Sequence, residues 1–259
     1  MISERENINP SWRAGGVSVA GVSHQKAHLS CQDSYCIVMG EDSRLIIAVS
    51  DGAGSAAFAE VASELTARTA TQFLAKRESG EWLEEANTSA LLEAAFAEAL
   101  RALEAEAESR EVSLREFACT LLLVVATPEG LFAAQIGDGA IVVQEKEGSL
   151  IAVTTPQNGE HANETTFLVS PNALEKLQVE AFPQPFSHLA VFTDGLQRLA
   201  LRLPEATPFA PFFTPLFRFL DTTPEAEERQ SALTEFLCSP RVTAKADDDL
   251  TLVLASWIE

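Results

Sequence analysis

The sequence predicts an α+β layered domain, and three observations predict it. Short β-branched segments open and close the chain, two segments of helical period lie between them, and the two kinds do not alternate as βαβ units would. GGVSVAGVSH, SYCIVMG and RLIIAVS read as the first strands, separated by polar breaks. After Asp51-Gly52 the period changes. Phe58, Val61, Leu65, Thr69 and Phe73 recur at helical spacing, with Ser55 placed to cap the start. A polar gap at ESGEW leads to a second helix marked by Leu92, Phe96, Ala99 and Leu103, with Glu98, Arg101, Glu104 and Glu108 on its wet face. Strands return at 118–126, where TPEG reads as a hairpin turn into LFAAQIG. AIVVQEK and SLIAVT form a further hairpin across Glu147-Gly148. A polar loop covers 156–165, strands are expected near 177–182 and 188–193, and TLVLASWI is the last.

A length of 259 residues can bury one large core, so one domain is expected over 1–259, with 1–11 as a flexible N-terminus. Between Asp194 and the terminal Asp run, residues 203–245 read as a helical insertion. Its segment PFAPFFTPLFRFL places Phe209, Phe213, Phe217 and Leu220 at helical spacing. Buried packing explains that spacing; a partner-binding flap is the other reading. The formal charge of −20 argues against a broad basic face for nucleic acid, and no apolar run approaches the roughly 20 residues of a membrane span. The polar start MISERENINP lacks a signal-peptide core, and Cys31, Cys36, Cys119 and Cys238 form no metal-type CxxC pair. Reduced thiols in a cytoplasmic protein are therefore expected.

The acidic residues comprise 29 Glu but only nine Asp, and seven of the nine fall in five short contexts: Asp33, Asp51, Asp138, Asp194 and Asp247–Asp249. Three segments share one design, an apolar strand, one small or hydroxyl residue, then Asp-Gly: IIAVS-Asp51-Gly52, AAQIG-Asp138-Gly139 and LAVFT-Asp194-Gly195. Asp138 taken alone reads first as a hairpin turn, because strand-like AIVVQ follows it. Asp51 and Asp194 precede helix-like sequence, so no hairpin closes there. Carboxylates converging on one edge repel one another unless cations lie between them. All-oxygen ligation suits Mg²⁺ or Mn²⁺ rather than zinc, and His24, His28, His161 and His188 show no HxxxH spacing. Two such ions can activate a water and clamp a phosphoryl group, which points to metal-assisted hydrolysis of a phosphoester.

The ordered set Gln32-Asp33, Asp51-Gly52, Gly137-Asp138-Gly139, Asp194-Gly195 and Asp248-Asp249-Leu250-Thr251 resembles the metal-dependent serine/threonine protein phosphatases of the 2C type. It most resembles their small bacterial branch, in which a Ser-His pair, here Ser23-His24, precedes a Gln-Asp pair. The resemblance implies a four-layer α-β-β-α sandwich of two antiparallel sheets, with the metal site at one edge. It implies Asp51, the Gly52 carbonyl, Asp194 and Asp248 as ligands of two divalent cations, Mn²⁺ or Mg²⁺, with Asp33 acting through water. It also implies Asp138 at a third, weaker site, and hydrolysis of phosphoserine or phosphothreonine on a protein that is the target of a Ser/Thr kinase.

The departures from the family pattern are Ala53 where many members carry His, Gln32 for Glu, Asp249 for Asn, and no early phosphate-binding Arg. His24 is the candidate substitute for that Arg. The rival reading is a catalytically weak phosphatase-fold module that binds a phosphoprotein or regulatory partner.

Overall fold

The computed structural model describes residues 11–40, 42–77, 85–157 and 165–258. The expected flexible N-terminus (except Ser11), the ESGEW gap and most of the 156–165 loop lie outside these residues. In chain order the elements are β1 (Ser11–Val19), α1 (Val22–Ala27), β2 (Asp33–Met39), β3 (Leu45–Asp51), α2 (Ala59–Ala75) and α3 (Glu85–Ser109). Four strands follow: β4 (Leu121–Thr127), β5 (Gly130–Ile136), β6 (Ala140–Glu145) and β7 (Leu150–Ala152). Then come β8 (Gln178–Phe182), β9 (Phe186–Phe192), α4 (Gln197–Ala200), β10 (Leu201–Arg202) and β11 (Thr207–Pro208). The chain closes with α5 (Ala210–Thr222), α6 (Ala226–Leu237), α7 (Pro240–Thr243) and β12 (Leu250–Ile258).

Two five-stranded antiparallel sheets, ordered β1-β12-β9-β6-β7 and β2-β3-β4-β5-β8, pack face to face. Their inner faces interdigitate through Ile47, Val49, Leu122 and Val124 against Ile141, Val143, Val191 and Val253. The opposite face of the second sheet, with Ile46, Ala48 and Leu123, lies under α2 and α3. The outer face of the first sheet, with Val142, Phe192 and Leu254, lies under α5 and α6. Layers on both sides of each sheet explain why IIAV and LLLVV are unbroken apolar runs rather than alternating ones. The result is the four-layer α-β-β-α sandwich. Phe213, Phe217 and Leu220 are buried in it, so packing accounts for the Phe-rich spacing.

Four local expectations are corrected. The strand expected through His24 ends at Val19, and Ser23-His24 belong to α1, pinned where the Ser23 amide and hydroxyl both donate to the Asp247 carbonyl. Ser55 does not cap α2, which starts four residues later after Phe58. The amides that lead into the helix are met from another segment, Ala57 by the Glu116 carboxylate and Phe58 by the Glu116 carbonyl. The buried stripe of α2 is also one step away from the large residues. Ala62, Thr66, Ala70 and Leu74 face the sheet, while Val61, Leu65 and Phe73 are only partly covered, because small residues let the helix lie close. Ser11, placed at the end of the flexible start, instead opens β1 opposite Ile258. No helix among the described residues is long and apolar enough to cross a membrane.

Candidate metal centre

Each sheet brings carboxylates to the same end of the sandwich. In the second sheet Asp33, the first residue of β2, is the cross-strand partner of Asp51, the last residue of β3. In the first sheet Asp194 follows β9, and Asp248-Asp249 precede β12, the strand paired with β9. Asp138 joins the two. The hairpin reading of its Asp-Gly is overturned, because β5 belongs to one sheet and β6 to the other, so Gly137-Asp138-Gly139 is the crossover between layers. Gly137 has φ of 123°, and a Cβ there would lie 2.5 Å from Thr120 Cβ, so glycine is required.

Ligand atoms of Asp51, Asp138 and Asp194 all lie within 4.8 Å of one another. Such crowding away from water disfavours charge. Withdrawal from water pushes Asp51 well above the usual carboxylate range, and repulsion from Asp33, Asp194, Asp138 and Asp248 pushes it further. Asp194 is raised to about 7 by burial and then by Asp138 and Asp248. Burial raises Asp33 to about 8 against the hydrogen bond from Thr193 Oγ1 to its Oδ2 at 2.7 Å. Asp138 is raised for the same leading reason, although Thr165 Oγ1 donates to its Oδ2 at 2.5 Å. Asp33 Oδ1 is buried with no hydrogen-bond partner. An oxygen-only donor set whose members repel one another, with a buried oxygen left over, fits hard divalent cations.

Asp249 behaves differently. It is 3 % exposed, and its Oδ1 accepts the Gly21 amide at 2.7 Å and His24 Nδ1 at 2.8 Å, while Oδ2 accepts the Gln32 amide at 2.5 Å. Although Asp249, Asp248 and His24 form a second close group, the oxygens of Asp249 are already engaged by N–H donors. It ties the start of α1 and the entry to β2 onto β12. In the sequence it shows only as Asp in place of Asn; its anchoring role depends on partners 217 to 228 residues away. Ala53, at the position where many family members carry His, is buried with Ala56 and Ala59 against Phe167 and Ala118. Cys31 is no candidate nucleophile, since burial and the nearby Asp33 and Asp249 push its thiol up.

The sandwich and its carboxylate edge define a metal-dependent phosphatase-type fold. The protein phosphatase 2C family model matches residues 20–238, and the chain belongs to that family. The last acidic run lies beyond the matched span. Serine/threonine-protein phosphatase 3 of Escherichia coli (strain K12) is 36% identical over 256 residues, covering 96% of this chain and 100% of that protein. Among solved structures, PppA, a key regulatory component of T6SS in Pseudomonas aeruginosa, superimposes with a TM-score of 0.67 at 17% identity, covering 96% of this chain and 100% of that one. RsbX in complex with magnesium gives 0.58 at 15% identity, covering 96% and 97%. The family is metal-dependent, and the carboxylate edge suits that dependence.

Proposed function

We infer that this chain is a metal-dependent phosphoprotein phosphatase that removes phosphate from phosphoserine and phosphothreonine. The observation that carries this reading is the convergence of buried Asp138 with partly buried Asp51 and Asp194 from separate strand ends, with Asp33 and Asp248 adding to the same field. Asp51, the Gly52 carbonyl, Asp194 and Asp248 would hold two divalent cations, Mn²⁺ or Mg²⁺, with Asp33 acting through water and Asp138 at a third, weaker position. When bound, such ions supply an acidified water at neutral pH and positive charge facing the phosphoryl oxygens.

The chain's own groups do the rest. Thr193 orients Asp33 through Oδ2 and in turn accepts the Thr251 amide at 3.1 Å, which leaves Asp33 Oδ1 aimed away from that bond. Asp249 holds His24 by Nδ1, so Nε2 is the ring nitrogen available to a phosphoryl oxygen. His24 is thus the phosphate-binding candidate. Ala53 offers no proton to a leaving alkoxide, a loss that typically costs roughly 10²–10⁴ in rate for poor leaving groups. That residue is also what favours the second reading, a weak phosphatase-fold module that binds a phosphoprotein.

The substrate class is a cytoplasmic protein phosphorylated by a Ser/Thr kinase. Purified protein should release phosphate from a phosphoserine peptide with Mn²⁺ or Mg²⁺ and stop on addition of chelator. Binding of that peptide without phosphate release in either ion would establish the module reading instead.

A further inference from the structure

Gln135 is an oddity of the sequence: a polar residue within the apolar strand LFAAQIG, and fully buried. A buried primary amide must satisfy two N–H groups and one oxygen. Gln135 does so around the crossover between the sheets. Its Nε2 donates to the Gly137 and Gly139 carbonyls at 2.9 Å each, the two residues flanking Asp138, and Thr154 Oγ1 donates to its Oε1 at 2.5 Å. A second glutamine, Gln157, accepts the Gly137 amide at 3.0 Å and donates from Nε2 to the Lys176 carbonyl at 2.6 Å. A third, Gln197 on α4, donates to the carbonyl of Asp138 itself. Gln197 lies three residues after Asp194, so this bond joins the two segments whose carboxylates approach within 4.8 Å.

We propose that Gln135 and Gln197 are positioning residues that set the Asp138 carboxylate against Asp51 and Asp194, and thereby determine how tightly the ion held in part by Asp138 is bound. The proposal rests on the metal assignment under Proposed function and adds the residues that tune it. The crossover needs this support. It leaves one sheet and enters the other, where the Gly139 carbonyl accepts from the Gln135 side chain and the Gly137 carbonyl from that side chain and the Gln157 amide at 3.0 Å. Gln135 fixes the flanks of the loop, and Gln197 fixes its distance from Asp194. Partners behind a metal ligand typically change metal affinity by about 10–100-fold when removed.

The test is calorimetric titration of metal-free protein with Mn²⁺, comparing parent, Asp138→Asn, Gln197→Met and Gln135→Met. Asp138→Asn identifies the binding phase to which Asp138 contributes. Gln197→Met keeps side-chain length on a half-buried residue, so it folds even if Gln135→Met does not. The expected result is that Gln197→Met weakens that same phase by about tenfold, leaves the tighter phase as in the parent, and lowers the metal-free melting temperature by no more than the loss of one half-buried hydrogen bond does. Restoring a shorter amide, Gln197→Asn, should not rescue it, because the donor no longer reaches the Asp138 carbonyl. An unchanged Mn²⁺ isotherm in Gln197→Met overturns the proposal, as does weakening of all phases in step with lost stability. A parent protein that binds no Mn²⁺ refutes the metal assignment itself, and the proposal with it.

Discussion

Asp51 and Asp249 lie at the same end of the sandwich, on partner sheets, and their surroundings are opposite. Asp51 meets other carboxylates, Asp138 and Asp194 within 4.8 Å, and its proton affinity rises steeply. Asp249 meets nitrogen, with two backbone amides and an imidazole on its two oxygens. One acid is arranged to need a cation from outside; the other has its donors supplied by the chain. Burial alone therefore does not distinguish a ligand from an anchor. What faces the oxygens does.

The largest expected effect separates the two by chemistry. With saturating Mn²⁺, Asp51→Asn and Asp194→Asn should each lower the initial rate of phosphate release from a phosphoserine peptide by at least about 10²–10³, the usual cost of removing a group that stabilises transition-state charge. Retention of parental rates would remove both residues from the centre. The next effect falls on stability. Asp249→Ala strands the Gly21 and Gln32 amides and frees His24, so urea unfolding should show a loss of about 2–4 kcal/mol. Asp249→Asn keeps an acceptor and should lose less. A neutral Asp249→Ala would show that the anchor is idle.

A third effect is the pH dependence of the metal-free protein. Asp33 and Asp194 have folded-state values raised to about 8 and about 7, above the ordinary carboxylate value of 3.8. Between pH 4 and 8 the folded chain thus holds protons that the unfolded chain has released. These groups contribute stability that falls as pH rises through that window, and the melting temperature should fall with it. Excess Mn²⁺ should raise the melting temperature most at the upper end of the window, where the carboxylates bind it deprotonated. The smallest effect is that of Thr193→Val, which removes the donor to Asp33 Oδ2 and the acceptor for the Thr251 amide, at about 1–2 kcal/mol in the same urea assay.

The sandwich was legible because its strands and helices carry distinct periods, and the acidic edge because Asp, rare beside Glu here, stood at strand ends. Less legible was anything that depended on which strand pairs with which. The Asp138 segment has a local hairpin pattern, yet β5 and β6 pair in different sheets, a fact set by long-range pairing with β8 and β9. Ser55 had the chemistry of a cap, but no side chain caps α2, and Glu116 from a distant turn receives the Ala57 and Phe58 amides that lead into it. The anchoring by Asp249 and the contacts of Gln135 and Gln197 are likewise non-local. A polar residue inside an apolar strand, as at Gln135, was the one local signal available.

The most direct test of the contrast is the melting temperature of metal-free Asp51→Asn beside the parent, measured from pH 4 to pH 8. Replacing an acid that is costly to charge with a neutral isostere should stabilise the folded state, by nothing at pH 4 and by a margin that widens with pH, while Mn²⁺ no longer raises the melting temperature as it does in the parent. A variant that melts below the parent throughout, or gains as much from Mn²⁺, would contradict the account.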